Sequence, residues 1–513
     1  MFLCTKFKPS LKPLPLPLKM KSFQVPTKIQ TSPRLMNLIL VSSTVCITYL
    51  LVSLVLLPNT KLLNSSASLQ DISSPTSLEH VVFGIASNQK SWEARKDYVK
   101  LWWRPDKMRG CVFLENTTAD PSNDSGSLPP VCISEDTSRF RYTYRNGLRS
   151  AIRVARVVTE TVALNHTNVR WFVFGDDDTI FFADNLVKVL SKYDHGLWHY
   201  IGSNSESYVQ NKFFSFDMAF GGAGFAISYP LARVLAKVFD PCIERYPHLY
   251  GSDGRISSCI AELGIGLTRE PGFHQMDIRG DIFGLLAAHP VTPLVSLHHL
   301  DKADPIFPNM TKMKGVQRLY EAVQFDPHRI IQQTVCYDRW FSWTISVSWG
   351  YAVQVFGNHL FLRDAVRAQE TFRPWKGGTD LHGLFNFDSR QNHPDPCRRS
   401  TVFFLDKVSK GGPDGIITST YRRMVPDNCT FDMGSPRKLQ EIRVFSQKLE
   451  LDIKQVPLLS FPTLHKAIFF SNVALSLQAP RRHCCDVLPS TAGKVMEVAI
   501  RECKEDELIY MHA

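Results

Sequence analysis

The chain runs to 513 residues with a formal net charge of +11, long for one domain, so two folded units behind a leader are expected. A basic excess ordinarily raises the question of nucleic acid, but no acidic residue precedes Asp71, while Lys6, Lys8, Lys12, Lys19, Lys21, Lys28 and Arg34 crowd ahead of an apolar run. Much of the excess is a topology signal, and no nucleic-acid partner is expected.

That leader, residues 1–34, is followed by Leu35 to Leu57, an uncharged stretch long enough to cross a bilayer as a helix. It is too long and too far from the start for a simple signal peptide; a cleaved signal behind a basic leader is the competing reading, but no strong small-residue cleavage site precedes Pro58. With the basic side cytoplasmic, everything after Leu57 is lumenal, a type II arrangement. The sequons at Asn64, Asn116, Asn123, Asn165, Asn309 and Asn428 all fall beyond this segment. So does an even set of cysteines, Cys111, Cys132, Cys242, Cys259, Cys336, Cys397, Cys429, Cys484, Cys485 and Cys503, for which disulfides are the default in an oxidising compartment. The adjacent pair Cys484-Cys485 lacks the usual spacing of zinc ligands.

Residues 58–79 are rich in Ser, Thr and Asn without an apolar face and read as a stem. At His80 the texture changes to Val81 to Ser87, a first strand, then Trp92 to Trp103 with helical spacing, a βα unit opening an α/β domain over residues 80–335. Met108 to Glu115 reads as a second strand, followed by a surface excursion with Cys111 and Cys132 at its ends. Arg139 to Ala163 reads as one long amphipathic helix whose Arg149, Arg153 and Arg156 form a solvated face.

The chain then reaches Arg170-Trp171-Phe172-Val173-Phe174-Gly175-Asp176-Asp177-Asp178, an apolar strand ending in three carboxylates. In open α/β sheets ligands bind outside the carboxyl ends of the strands, and adjacent carboxylates repel unless a cation sits between them. A divalent ion, Mn2+ or Mg2+, with diphosphate oxygens completing its shell is the simplest partner. The bland alternative is a helix cap, for which one aspartate suffices. Further on, three glycines interrupt Ala219 to Ser228, where the backbone must come close to something. Asp253 stands in a turn before a helix-like Ile256 to Leu263, as an N-cap or a free carboxylate. From Cys336 onward, residues 336–513 break into short β-like runs, and Trp340, Trp343, Trp349 and Trp375 read equally as core or as sugar-stacking platforms.

The run Trp171 to Phe182 resembles the metal-binding Asp-x-Asp strand of Fringe-like β-1,3-glycosyltransferases, and more closely the plant Fringe-related proteins catalogued as a domain of unknown function. Met218 to Ser228 and Gly251-Ser252-Asp253-Gly254 support the likeness in the same order, and it covers about Val81 to Leu300. The resemblance implies a GT-A glycosyltransferase domain, a Golgi membrane location, a UDP-sugar donor and a glycan or glycoprotein acceptor. It implies a hexosyltransferase, inverting at the anomeric carbon. It makes Ala86, Ser87, Arg95, Asp176 and Asp177 donor-site candidates, Asp176, Asp178 and His274 the metal candidates, with His289, His298 and His299 as rivals of His274. Asp253 becomes the base, although the family's acidic pair is here reduced to Ser252-Asp253; Asp277 and Asp281 are the next carboxylates. That reduction, with the large C-terminal region, speaks for the alternative of a non-catalytic lumenal protein that binds glycans or scaffolds partner transferases, but a chain released from catalysis has little reason to keep three unpaired carboxylates together, and the enzyme is the reading expected.

Overall fold

In the computed structural model, seven strands make the first sheet: β1 (Val81–Ala86), β2 (Arg109–Leu114), β3 (Val131–Ile133), β4 (Trp171–Asp176), β5 (Tyr200–Gly202), β6 (Phe225–Ser228) and β7 (Leu267–Arg269). The residues described are 37, 40–49, 75–116, 126–378, 383–411, 414–425, 428–451, 481–489 and 493–511. The strand order is β3-β2-β1-β4-β6-β5-β7. β1 lies parallel to both β2 and β4, while β6 runs antiparallel to β4 and β5. Along β1 and β4, Val81, Phe83, Ile85, Trp171 and Val173 enter one hydrophobic core, and Val82, Ala86, Phe172 and Phe174 enter another on the opposite face. Burial on both faces with a period of two is why these strands read as continuous apolar runs.

Helices cover both faces. α1 (Gln89–Trp102) and α3 (Ala183–Leu190) contribute Trp92, Val99, Trp102, Leu186 and Val189 to the first core; α2 (Ser150–Ala163), α4 (Tyr229–Ile243) and α5 (Ser252–Glu262) fill the second. The fold is therefore mixed α/β. α2 starts at Ser150, eleven residues later than its amphipathic pattern indicates, because Asn146 takes a left-handed φ of 60° and the Gly147 N–H donates to the Tyr144 carbonyl in a turn. Of its three arginines only Arg149, at the N-cap, is exposed. Arg153 and Arg156 are buried; Arg156 reaches Asp240 at 2.9 Å and Glu135 at 2.8 Å, and Arg153 donates to the carbonyl of Ser87 at 2.6 Å. Packing against α4 buries the stems, and the charges survive because each finds acceptors.

A second sheet holds eight strands: β8 (Gln333–Asp338), β9 (Trp343–Ser348), β10 (Ala352–Phe356), β11 (Thr401–Lys410), β12 (Ile417–Arg422), β13 (Glu441–Ser446), β14 (Cys484–Leu488) and β15 (Val495–Arg501), in the order β8-β9-β10-β11-β12-β13-β15-β14. Its edge strands β8 and β14 are joined by the Cys336–Cys485 disulfide. The first core continues without interruption from Phe83 and Trp171 through Leu297 to Trp343, Trp349 and Val498.

All ten cysteines of the even set are paired, as Cys111–Cys132, Cys242–Cys259, Cys336–Cys485, Cys397–Cys429 and Cys484–Cys503. Neighbours on a strand point to opposite faces, so Cys484 and Cys485 take different partners. The sequon residues Asn116, Asn165, Asn309 and Asn428 are exposed. Of the apolar segment 35–57, residues 40–49 are helical and most of the rest lies outside the described residues; among the described residues no helix is long and apolar enough to cross a membrane.

Cys336–Cys485 closes a separation of 149 residues. Replacing both by Ser is expected to cost about 2–5 kcal/mol, read as a lower thermal midpoint under oxidising conditions. An unchanged midpoint would mean that the sheet edges hold together without the bond.

Candidate active site

Asp176 is the last residue of β4, level with Ala86 of β1, and Asp177 and Asp178 turn away beyond it. The N-cap of α3 is Phe182, with no side-chain capping bond, so none of the three aspartates serves as its cap. The turn is braced at Thr179, whose hydroxyl accepts from the Asp176 N–H at 2.8 Å and donates to the Gly222 carbonyl at 2.7 Å. The Trp102 indole N–H donates to the Thr179 carbonyl at 3.1 Å.

Asp177 and Asp178 are buried, with 3% and 2% of their surface exposed, and charges so placed need partners. Asp177 accepts from the Ser87 hydroxyl at 2.6 Å and from Arg95 at 3.1 Å. The same guanidinium lies 3.3 Å from Asp178 and 2.7 Å from Asp301. Arg95 shares the stripe of α1 that carries Trp92 and Val99, which turns it toward the strand ends. Burial would lower the Arg95 pKa, but the three carboxylates raise it well above its ordinary value.

The fourth side comes from Ser296–Leu297, which pairs antiparallel with Ile180–Phe181 and parallel with Phe273–His274. The next residue, His298, has Nδ1 3.2 Å from the Gln275 carbonyl. A carbonyl only accepts, so Nδ1 carries the hydrogen and Nε2 faces Asp178 at 3.1 Å and Asp176 at 3.7 Å. Asp176, Asp178 and His298 offer ligand atoms within 4.8 Å of one another. Among the described residues, the buried Asp178 oxygens meet only the charged groups of Arg95 at 3.3 Å and His298 at 3.1 Å. That carboxylate keeps lone pairs available, and two carboxylates with an imidazole fit Mn2+ or Mg2+.

Burial works against charge on His298, yet Asp178 and Asp176 hold its pKa up at about 9. Burial likewise opposes charge on Asp178, but His298 and Arg95 bring it well below the usual carboxylate range. Asp176 is raised by the protein packed around it and then by Asp178, Asp253 and Asp177, with His298 opposing. With 40% of its side chain open to the cleft, solvent tempers that rise.

His274 lies outside this cluster. Its Nδ1 is 2.9 Å from Glu206 and its Nε2 3.0 Å from His289, so both ring nitrogens are engaged elsewhere, and His298 stands where a ligand was expected of His274. A sequence signal existed: the largely apolar Leu294-Val295-Ser296-Leu297 ends in His298, a short counterpart of the strand-end pattern that marks Asp176. Arg95, which its sequence left between surface and site, lies against Asp177, Asp178 and Asp301, and Asp301 and Thr179 had no sequence signal at all.

The glycine-rich segment approaches the site's own side chains. A Cβ on Gly222 would run into the His298 imidazole, and one on Gly221 would lie 2.6 Å from Asp253 Oδ1. Asp253 is the second residue of α5, behind an N-cap at Gly251, and no side chain caps that helix. The carboxylate is thus not a cap; it accepts from the Ser252 hydroxyl at 2.9 Å and lines, with Asp176, Ala86 and Gly221, a cavity of about 20 Å³. Burial raises its pKa against the pull of the Gly221 backbone and Ser252. Asp277 is committed to Ser205 at 2.6 Å and His299 at 3.2 Å, and Asp281 to the Phe283 N–H at 2.9 Å.

Residues 210–460 match the profile of a family described as "Protein of unknown function, DUF604", a span that includes Asp253, His274 and His298 and begins after the acidic triplet. Among solved structures, a mannosyltransferase, PcManGT from Pyrobaculum calidifontis in complex with GDP-Man and Mn2+, overlaps with 15% identity and a TM-score of 0.25, over 40% of this chain and 60% of that one. An active-site mutant of LgtC overlaps with 13% identity and a TM-score of 0.29, over 46% of this chain and 92% of that one. Likeness this slight bears on neither activity nor substrate.

Gly222→Ala is expected to push His298 off Asp178, since the ring is confined by its neighbours. The variant should lose about 1–3 kcal/mol of stability, measured by chemical denaturation. Wild-type stability would show that His298 moves freely.

Proposed function

We propose that the protein is a metal-dependent glycosyltransferase of GT-A architecture that moves a hexose from a UDP-sugar to a glycan or glycosylated acceptor, with inversion, in the β-1,3 manner of the Fringe-like enzymes its motifs resemble. The reading is carried by one observation: Asp176, Asp178 and His298 converge at the carboxyl end of β4, and Asp253 lines the same small cavity as Asp176. Mn2+ or Mg2+ bound by Asp176, Asp178 and His298 would neutralise the charge that grows on a departing diphosphate. Ser87 and Arg95, both tied to Asp177, make the adjoining wall where a nucleotide would lie. The Asp253 carboxylate, met by the Ser252 hydroxyl and the Gly221 backbone, has a pKa raised by burial, which suits a base that takes the proton of an attacking acceptor hydroxyl. A type II Golgi membrane protein with a lumenal catalytic part accords with the paired cysteines and the exposed sequon asparagines.

One observation favours a non-catalytic, glycan-binding or scaffolding protein: Arg95 and His298 already compensate the carboxylates without any metal. Two substitutions separate the readings. Asp178→Asn should abolish most manganese-dependent affinity for uridine diphosphate in calorimetry; equal affinity in both proteins would sink the metal assignment. Asp253→Asn should leave that affinity nearly intact and lower turnover by roughly 100-fold or more, followed by transfer from a panel of nucleotide sugars with manganese or chelator. Full turnover in that variant would require another base.

A further inference from the structure

We infer that Trp375, from the C-terminal half of the chain, is a positioning residue for His298, acting through His299. The inference deepens the metal-centre reading above and rests on it for its functional meaning.

The segment Phe372–Pro374 lies antiparallel to Ile278–Gly280, with Ile278 opposite Pro374 and Gly280 opposite Phe372. Continuing that register brings Trp375 level with Asp277. The Trp375 indole stacks on the His299 imidazole, ring centres 4.6 Å apart and planes inclined by 15°. The His299 ring in turn lies 3.7 Å from that of His298, inclined by 32°. On its edge, His299 Nδ1 is 3.2 Å from Asp277 Oδ1, and Asp277 is fixed by the Ser205 hydroxyl at 2.6 Å. The Arg279 guanidinium lies 4.7 Å from the centre of the Trp375 ring. His299 is thus held by Asp277 on its edge, His298 on one side and Trp375 on another.

The backbone explains why such a clamp is needed. His299 has φ 56°, a left-handed conformation uncommon for residues with a Cβ, which packing around the side chain helps to hold. Its neighbour His298 gets one hydrogen bond from the backbone, at Gln275, which fixes Nδ1 and leaves the ring's tilt to packing. The His299 ring supplies that packing, and Trp375 backs His299. This also assigns a role to one of the four tryptophans: Trp343 and Trp349 are core, 1% and 0% exposed, Trp340 is 55% exposed, and Trp375 stacks its ring on His299. Partners behind a ligating histidine commonly tune metal affinity by roughly 10–100-fold, and here that partner comes from beyond the α/β half that carries the ligands.

The test uses the full-length chain in detergent micelles with isotope-labelled histidine. With chelator present, Trp375→Ala should shift the ring resonances of both His298 and His299, and Trp375→Phe, which keeps a flat ring, should restore them. With manganese added, the Ala variant should bind at least about 10-fold more weakly, and the Phe variant should recover most of that loss. If the Ala variant does not fold, Trp375→Leu replaces it, retaining bulk without a stacking face. Unchanged His298 resonances in a folded Ala or Leu variant would overturn the inference. Shifted His298 resonances in a protein whose wild type binds no manganese would uphold the positioning and overturn the metal reading instead.

Discussion

Three consecutive carboxylates at the end of a buried strand repel one another, and two of them, Asp177 and Asp178, are almost wholly removed from water. Such an arrangement survives only if cations come to it, and two do, from opposite directions in the chain: Arg95 from the first helix and His298 from more than a hundred residues downstream. Each cation is itself shared, Arg95 among Asp177, Asp178 and Asp301, and His298 between Asp178 and Asp176. The site is therefore a balanced cluster in which displacing one partner uncovers another.

The scaffold around it leaves little slack. Thr179 ties the acidic turn to the glycine-rich turn, and the glycines lack Cβ atoms where His298 and Asp253 come closest. Compactness here serves charge placement: a side chain at Gly222 would occupy the space of the imidazole that compensates Asp178.

The C-terminal half is continuous with this construction. The hydrophobic core passes from the first sheet into the second without a break, and a two-stranded ribbon between Ile278–Gly280 and Phe372–Pro374 carries Trp375 up to the histidines. Disulfides within both halves stiffen the frame, including the one that joins the edges of the second sheet.

Local sequence determined the strand that ends in Asp176-Asp177-Asp178, the opening βα unit and the disulfide-bonded state of the ten cysteines of the even set, though not which cysteine joins which, because each is written in adjacent residues or in parity. It misjudged the start of α2, where an Asn-Gly turn overrode an amphipathic pattern, and the environment of Arg153 and Arg156, whose partners lie on other elements. Only the tertiary structure shows that His298, and not His274, lies beside Asp176 and Asp178. Each stands at or just past the end of a two-residue strand, and which of them reaches the aspartates depends on how Ser296–Leu297 pairs with Ile180–Phe181 and Phe273–His274, a matter of register between segments far apart in sequence. The same holds for Arg95, Asp301 and Trp375: a side chain's partners across an α/β fold are set by how the strands are ordered in space, and no spacing along the chain encodes that order.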